Sequence, residues 1–157
     1  MTPREWMPRE QWDALVRGQD CPLCAAVASE EAVDEHGYTV ADLAISRVRL
    51  AANQYVRGYC VVICKKHVRE PYELDEGDLE SFFTDVMRVG RTLDDVFKPA
   101  KMNFEILGNA VPHLHCHVLP RFYGDPAPGR PIDPQGEVVR LAPAEYEERV
   151  RAIAAAL

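Results

Sequence analysis

No apolar run in this 157-residue chain approaches the ~18 residues a membrane-spanning helix needs, so no membrane segment is expected. The opening stretch, "MTPREWMPREQWDALVRG", mixes acids, bases and tryptophans. It lacks the apolar centre of a secretory signal peptide, which makes the cytoplasm the expected compartment. An excess of positive charge is missing too: 18 Lys and Arg stand against 25 Asp and Glu, a formal net charge of -7. The longest basic stretch, "CKKHVRE" (Cys64 to Glu70), is short, so a nucleic-acid polymer is a poor partner. A local site can still hold a small anion. Internal repeats and linker-like stretches are absent. Nor is a disulfide framework expected, because the five cysteines (Cys21, Cys24, Cys60, Cys64 and Cys116) are odd in number and the expected compartment is reducing.

What is present is ordinary globular composition, 47% apolar and 27% charged, at a length that suits one domain. Residues 1–20 read as an N-terminal extension with one short helix, about Arg9 to Arg17, and residues 21–157 as a single domain. "CPLC" (Cys21 to Cys24) reads as a tight turn, and Ala25 to Val33 as a helical turn or two. From Tyr38 to His67, short alternating runs rich in valine, isoleucine and tyrosine predict two or three antiparallel strands. Leu79, Phe82, Phe83, Val86, Val89 and Leu93 follow helical spacing and predict a long helix over Glu76–Phe97, with Asp75 as its N-cap and Pro99 ending it. "KMNFEILGNA" and "PHLHCHVLPRF" return to strand character. A proline- and glycine-rich loop then precedes a last helix, Ala144–Ala156, with Pro143 at its first position. The order predicts an α+β fold: an antiparallel sheet, one long helix and a C-terminal helix.

Three of the five histidines lie at 113, 115 and 117. On a strand, alternate residues face one way. His113, His115 and His117 then share a face, with Leu114, Cys116 and Val118 on the other. A helix would scatter them. A row of imidazoles serves two kinds of chemistry, metal ligation or nucleophilic and acid–base work near neutral pH.

"HLHCHVL" resembles the histidine triad motif, His-Φ-His-Φ-His-Φ-Φ with Φ apolar. Pro120-Arg121 after it, "GYCVVICKKHV" (Gly58 to Val68) and "MNFEILGNAVPH" are also similar to that family's strands. The likeness runs from about Cys21 to Tyr123. It implies an HIT-like domain that attacks the α-phosphate of a nucleotide, forms a covalent nucleotidyl-histidine and releases a mononucleotide with water. By position His115 is the nucleophile, and His117 stabilises charge on the phosphate. Backbone N–H groups from Asn109 to Val111 add donors. "CPLC" alone suits a turn as well as a metal site. Some bacterial members carry a structural zinc, and the resemblance assigns it to Cys21, Cys24, His67 and His113, with no organic cofactor. It also implies a homodimer.

The sequence departs from the family in places. Tyr59 stands where many members have a further histidine. Asn109 and Ala110 stand where glutamine and a hydroxyl residue are frequent. For the amide or acid that binds ribose, Asn53 or Gln54 is offered out of register, and Asn103 is the better placed amide. The expected activity is nucleotide hydrolysis or transfer at an α-phosphate, on dinucleoside polyphosphates first and nucleoside phosphoramidates second. The alternative is a weakly active nucleotide-binding or sensing protein. A zinc module for nucleic acid is disfavoured by the acidic charge.

Overall fold

Alternation builds the centre of the molecule. In Ser46–Ala51 (β3), Val48 and Leu50 are fully buried on one face, while Arg47, Arg49 and Ala51 take the other. In Cys60–Cys64 (β4), Cys60, Val62 and Cys64 share the first face, and Val61 and Ile63 the second. The period of two follows from the pleat. A computed structural model, which describes residues 7–157, sets these strands in a six-stranded antiparallel sheet. The others are Val33–Asp34 (β1), Gly37–Asp42 (β2), Lys101–Glu105 (β5) and His115–Arg121 (β6), in the spatial order β1-β2-β3-β4-β6-β5. β6 therefore lies between β4 and β5, opposing Ile63 with His115 and Val61 with His117. The first six residues of the expected N-terminal extension lie outside the described residues.

The helices are Arg9–Val16 (α1), Pro22–Ala28 (α2), Glu76–Phe97 (α3) and Pro143–Ala156 (α4). α3 starts where Asp75 accepts a hydrogen bond from the Asp78 N–H at 2.8 Å, and it stops at Lys98, whose φ of 51° is left-handed. Its stripe of Phe82, Val86, Val89 and Leu93 packs on Val62, Cys116 and Val118, and α4 adds Tyr146 and Ile153. Each such side chain contributes roughly 1.5–3 kcal/mol of burial. Both helices thus cover one sheet face, leaving the centre of the opposite face to the histidines.

The α+β architecture and the span of α3 match the sequence reading. Two local expectations need correction. "CPLC" is not a free tight turn: Cys21 is the N-cap of α2, because Pro22 suits the first helical position. α2 then ends at Ala28, and Val33 belongs to β1, paired with Tyr38.

One polar contact ties the helix layer to the sheet. Asp85 of α3, 5% exposed, accepts from the Ile45 N–H at 3.1 Å and from the Ser46 hydroxyl. Asp85→Ala leaves both buried donors without a partner and is expected to cost about 1–3 kcal/mol. Urea unfolding measures this; a midpoint equal to wild type would contradict it.

Candidate active site and metal centre

Cys21 and Cys24, three residues apart at the start of α2, face the same way. His67 follows β4 and His113 precedes β6, and one donor atom from each of the four lies within 4.8 Å of the rest. Cys24 Sγ is 3.2 Å from His67 Nδ1 and 3.4 Å from His113 Nδ1, and Cys21 Sγ is 3.5 Å from His113 Nδ1. The two Nδ1 atoms are 3.1 Å apart. Each ring's other nitrogen meets a carbonyl: His113 Nε2 the Cys64 oxygen at 2.7 Å, His67 Nε2 the Val16 oxygen at 3.0 Å. A carbonyl only accepts, so both Nε2 atoms carry the proton and both Nδ1 atoms present lone pairs. Lone pairs this close need a positive partner, either a cation among the four donors or the S–H protons of the two cysteines. A tetrahedral ion with nitrogens at about 2.0–2.1 Å and sulfurs at about 2.3 Å spaces its ligand atoms roughly 3.3–3.8 Å apart. The four residues could therefore hold a metal ion, with the two carbonyls orienting the rings from behind. Without one, burial, with Cys21 beside it, pushes the Cys24 thiol up to about 11, and burial lowers His113 to about 4.

The regular strand β6 begins at His115, so His113 turns to the cysteines rather than extending a row of three. His115 Nδ1 donates to the His113 carbonyl at 2.6 Å. Its Nε2 is left with a lone pair. His117 lies beside it, ring centroids 4.8 Å apart and nearly perpendicular, and its Nδ1 is 2.6 Å from the Tyr59 hydroxyl. Burial lowers the pKa of His115, and burial together with His115 lowers His117 to about 4. Both shifts favour the neutral rings at pH 7, a form in which an imidazole can act as a nucleophile or as a neutral donor.

His115 and His117 open on a cavity of about 300 Å³, walled by Arg49, Tyr59 and Val111 and, on the metal side, by Pro22 and Leu23 of α2. Arg49 is 6% exposed and donates to Asp34 at 2.5 Å and to the Gly37 carbonyl at 2.6 Å. Its Nε is buried and has no partner among the described residues. The Arg49 hydrogen bond holds the Asp34 carboxyl below the usual carboxylate range.

Of the other candidate residues, Val111 and Asn53 line this cavity. The Asn53 side chain is fully engaged elsewhere: its amide donates to the Pro134 and Glu137 carbonyls at 2.9 and 2.8 Å, and its oxygen accepts from the Tyr55 and Val139 N–H groups at 3.1 and 2.9 Å. It anchors the loop over the cavity and keeps no group for a ligand. Asn103 lies in a different cleft, of about 770 Å³ along β5, where its oxygen accepts from Arg121 at 2.7 Å. Asn109 is exposed on the loop before β6 and is not part of the cavity wall. Arg49 and Arg140, both in the wall, escape sequence reasoning. For Arg49 the signal existed: it alternates with Val48 and Leu50, so a register across β3, β4 and β6 puts it on the histidine face.

Residues 39–124 match the HIT domain family model. A histidine triad protein from Bradyrhizobium japonicum superposes with a TM-score of 0.71 at 28% identity, over 76% of this chain and 89% of that one. A zinc-bound histidine triad family protein from Mycobacterium smegmatis shares the fold with a TM-score of 0.62 at 22% identity, over 87% of this chain and 91% of its own. A bis(5'-nucleosyl)-tetraphosphatase (asymmetrical) from Schizosaccharomyces pombe is 32% identical over 73 residues, 43% of this chain and 40% of the relative. The family match spans more than half of the sequence and contains the strand of His115 and His117, and the chain belongs to the HIT domain family.

Proposed function

We propose that the chain is a nucleotide hydrolase in which His115 attacks an α-phosphate. One observation carries this reading: the His115 Nδ1–H is held on the His113 carbonyl at 2.6 Å, which leaves Nε2 with a lone pair at the cavity. In the first step Nε2 bonds to the phosphorus in line, and the bond from phosphorus to the departing oxygen breaks, that oxygen keeping the electron pair. The cationic ring rests its Nδ1–H on the carbonyl, and His117 meets the phosphoryl oxygens. In the second step water bonds to the phosphorus, the phosphorus–nitrogen bond breaks, and its electron pair returns to His115. The water's proton passes to solvent and a mononucleotide leaves.

Dinucleoside polyphosphates are the proposed substrate class. The Schizosaccharomyces relative is a tetraphosphatase of that kind. The cavity, about 300 Å³, is at the small end of ligand sites and suits one nucleoside monophosphate unit, the rest of a polyphosphate reaching into solvent. Ala110 offers no hydroxyl to a departing amine, which favours polyphosphate over phosphoramidate.

The Cys21, Cys24, His67 and His113 centre holds zinc in this reading, in a structural role. The donor set is the soft, four-coordinate one that zinc prefers, and the Mycobacterium relative is zinc-bound. A zinc there supplies anchoring charge only; His113, so fixed, presents its carbonyl to His115. The assembly is a homodimer. β5 is an edge strand, with Phe104, Ile106 and Leu107 exposed at and just beyond it. Exposed Phe83 and Met87 lie on the same face of α3 as Gly90, against which Phe104 packs. An unpaired strand edge with exposed apolar side chains beside it calls for a partner.

His115→Asn is expected to reduce hydrolysis of a dinucleoside tetraphosphate to background while circular dichroism stays that of wild type; retained turnover would refute the nucleophile. Purified protein is expected to carry zinc by mass spectrometry, and Cys21→Ser to lose it together with thermal stability. At a thousandfold excess of metal over its Kd the loss is about 4 kcal/mol. Equal zinc in both proteins would exclude this centre. Light scattering is expected to give twice the chain mass for wild type and a monomer for Phe104→Lys; a monomeric wild type would dismiss the dimer.

A further inference from the structure

Tyr59 stands at the entrance to β4, 2% exposed, with its hydroxyl 2.6 Å from His117 Nδ1. We propose that Tyr59 is a positioning residue that locks His117 as the neutral tautomer protonated at Nε2, so that its N–H is committed to the phosphoryl oxygens. The purpose of that proton rests on the hydrolase reading; its location does not.

Two arrangements of the pair are conceivable. Either the phenol donates to a bare Nδ1, or an Nδ1–H donates to the phenol oxygen. In the second, the phenol's own proton needs another acceptor, and among the described residues the hydroxyl has no partner but His117. A buried donor left without a partner costs about 1–3 kcal/mol. In the first, every polar atom of the pair is satisfied and Nε2 keeps the proton. Burial raises the pKa of the phenol, so it retains its proton to give.

The backbone holds the ring to this task. The Tyr59 N–H donates to the Val56 carbonyl at 3.0 Å, and the Tyr59 carbonyl accepts from the Ala51 N–H at 3.0 Å and from Gln54 Nε2 at 3.2 Å. Gln54, 3% exposed, also accepts from the Gly58 N–H at 3.0 Å and from Arg149 at 2.7 Å. Gly58 has a φ of +79°, and a Cβ there would lie 2.8 Å from the Phe97 ring, so the turn that aims Tyr59 requires glycine. A histidine at position 59 could either give or take the proton of the contact. A buried tyrosine with one neighbour gives it in one direction only. The three rings thereby have three assigned states: His113 with its proton at Nε2, His115 at Nδ1 and His117 at Nε2.

Long-range proton–nitrogen NMR of the zinc-loaded, nitrogen-15-labelled full chain reads the tautomers directly. Wild type is expected to show His117 with a bare Nδ1 and a protonated Nε2. Tyr59→Phe, which keeps the ring, is expected to give a mixture of tautomers and a kcat lowered about twofold to tenfold, in proportion to the His117 that loses its Nε2 proton, at unchanged KM. A proton on Nδ1 in wild type overturns the proposal, and so does a Tyr59→Phe spectrum identical to wild type. If the variant does not fold, the wild-type spectrum decides alone. A wild type that shows this tautomer but hydrolyses no nucleotide supports the lock and refutes the hydrolase.

Discussion

His113 is the joint on which this molecule turns. Its ring joins Cys21, Cys24 and His67, and its backbone oxygen receives the Nδ1–H of His115. The same residue closes a four-donor centre and sets the tautomer of its neighbour two positions on. Behind the ring, the Cys64 carbonyl at 2.7 Å fixes which nitrogen faces the sulfurs. Two backbone carbonyls, those of Cys64 and His113, thus assign the protons of the His113 and His115 rings. Any displacement of His113 would reach both the donor cluster and the His115 ring.

The sheet supports this by dividing its labour. One face is apolar and takes α3 and α4; the other carries arginines, histidines and a tyrosine around a cavity. Polar groups gathered on a half-buried face must find partners, and the structure supplies them from the backbone. Gly37, Cys64 and His113 give carbonyls to Arg49, His113 and His115. The cavity is thus pre-organised by main-chain oxygens, which cannot swing away as side chains can.

What was legible in the sequence was local. Histidines at every second position announce a strand, and the spacing of Phe82, Val86, Val89 and Leu93 announces α3, whereas the two cysteines three apart gained a metal reading only through the family resemblance. What was illegible depends on strand order. Nothing local says that β6 enters between β4 and β5, and for that reason Asn103, on the far side of β6, falls in another cleft. Asn53 faces the cavity, yet its hydrogen bonds go to a loop more than 80 residues away, which no window on the sequence reveals. The Tyr59 contact joins residues 58 apart and depends on the β4–β6 pairing together with the Gly58 turn just before β4.

That inserted strand also bears on assembly. Cys21 and His113 are 92 positions apart, and α3 and β5 separate β6 in sequence from β4, the strand it pairs with. Contacts of such long sequence separation form late, because the entropy of closing the intervening chain must be met first. On that ground the cluster and the paired imidazoles are expected among the later parts of the molecule to assemble. A chain whose β6 has not yet docked holds neither the four-donor cluster nor the paired rings of His115 and His117.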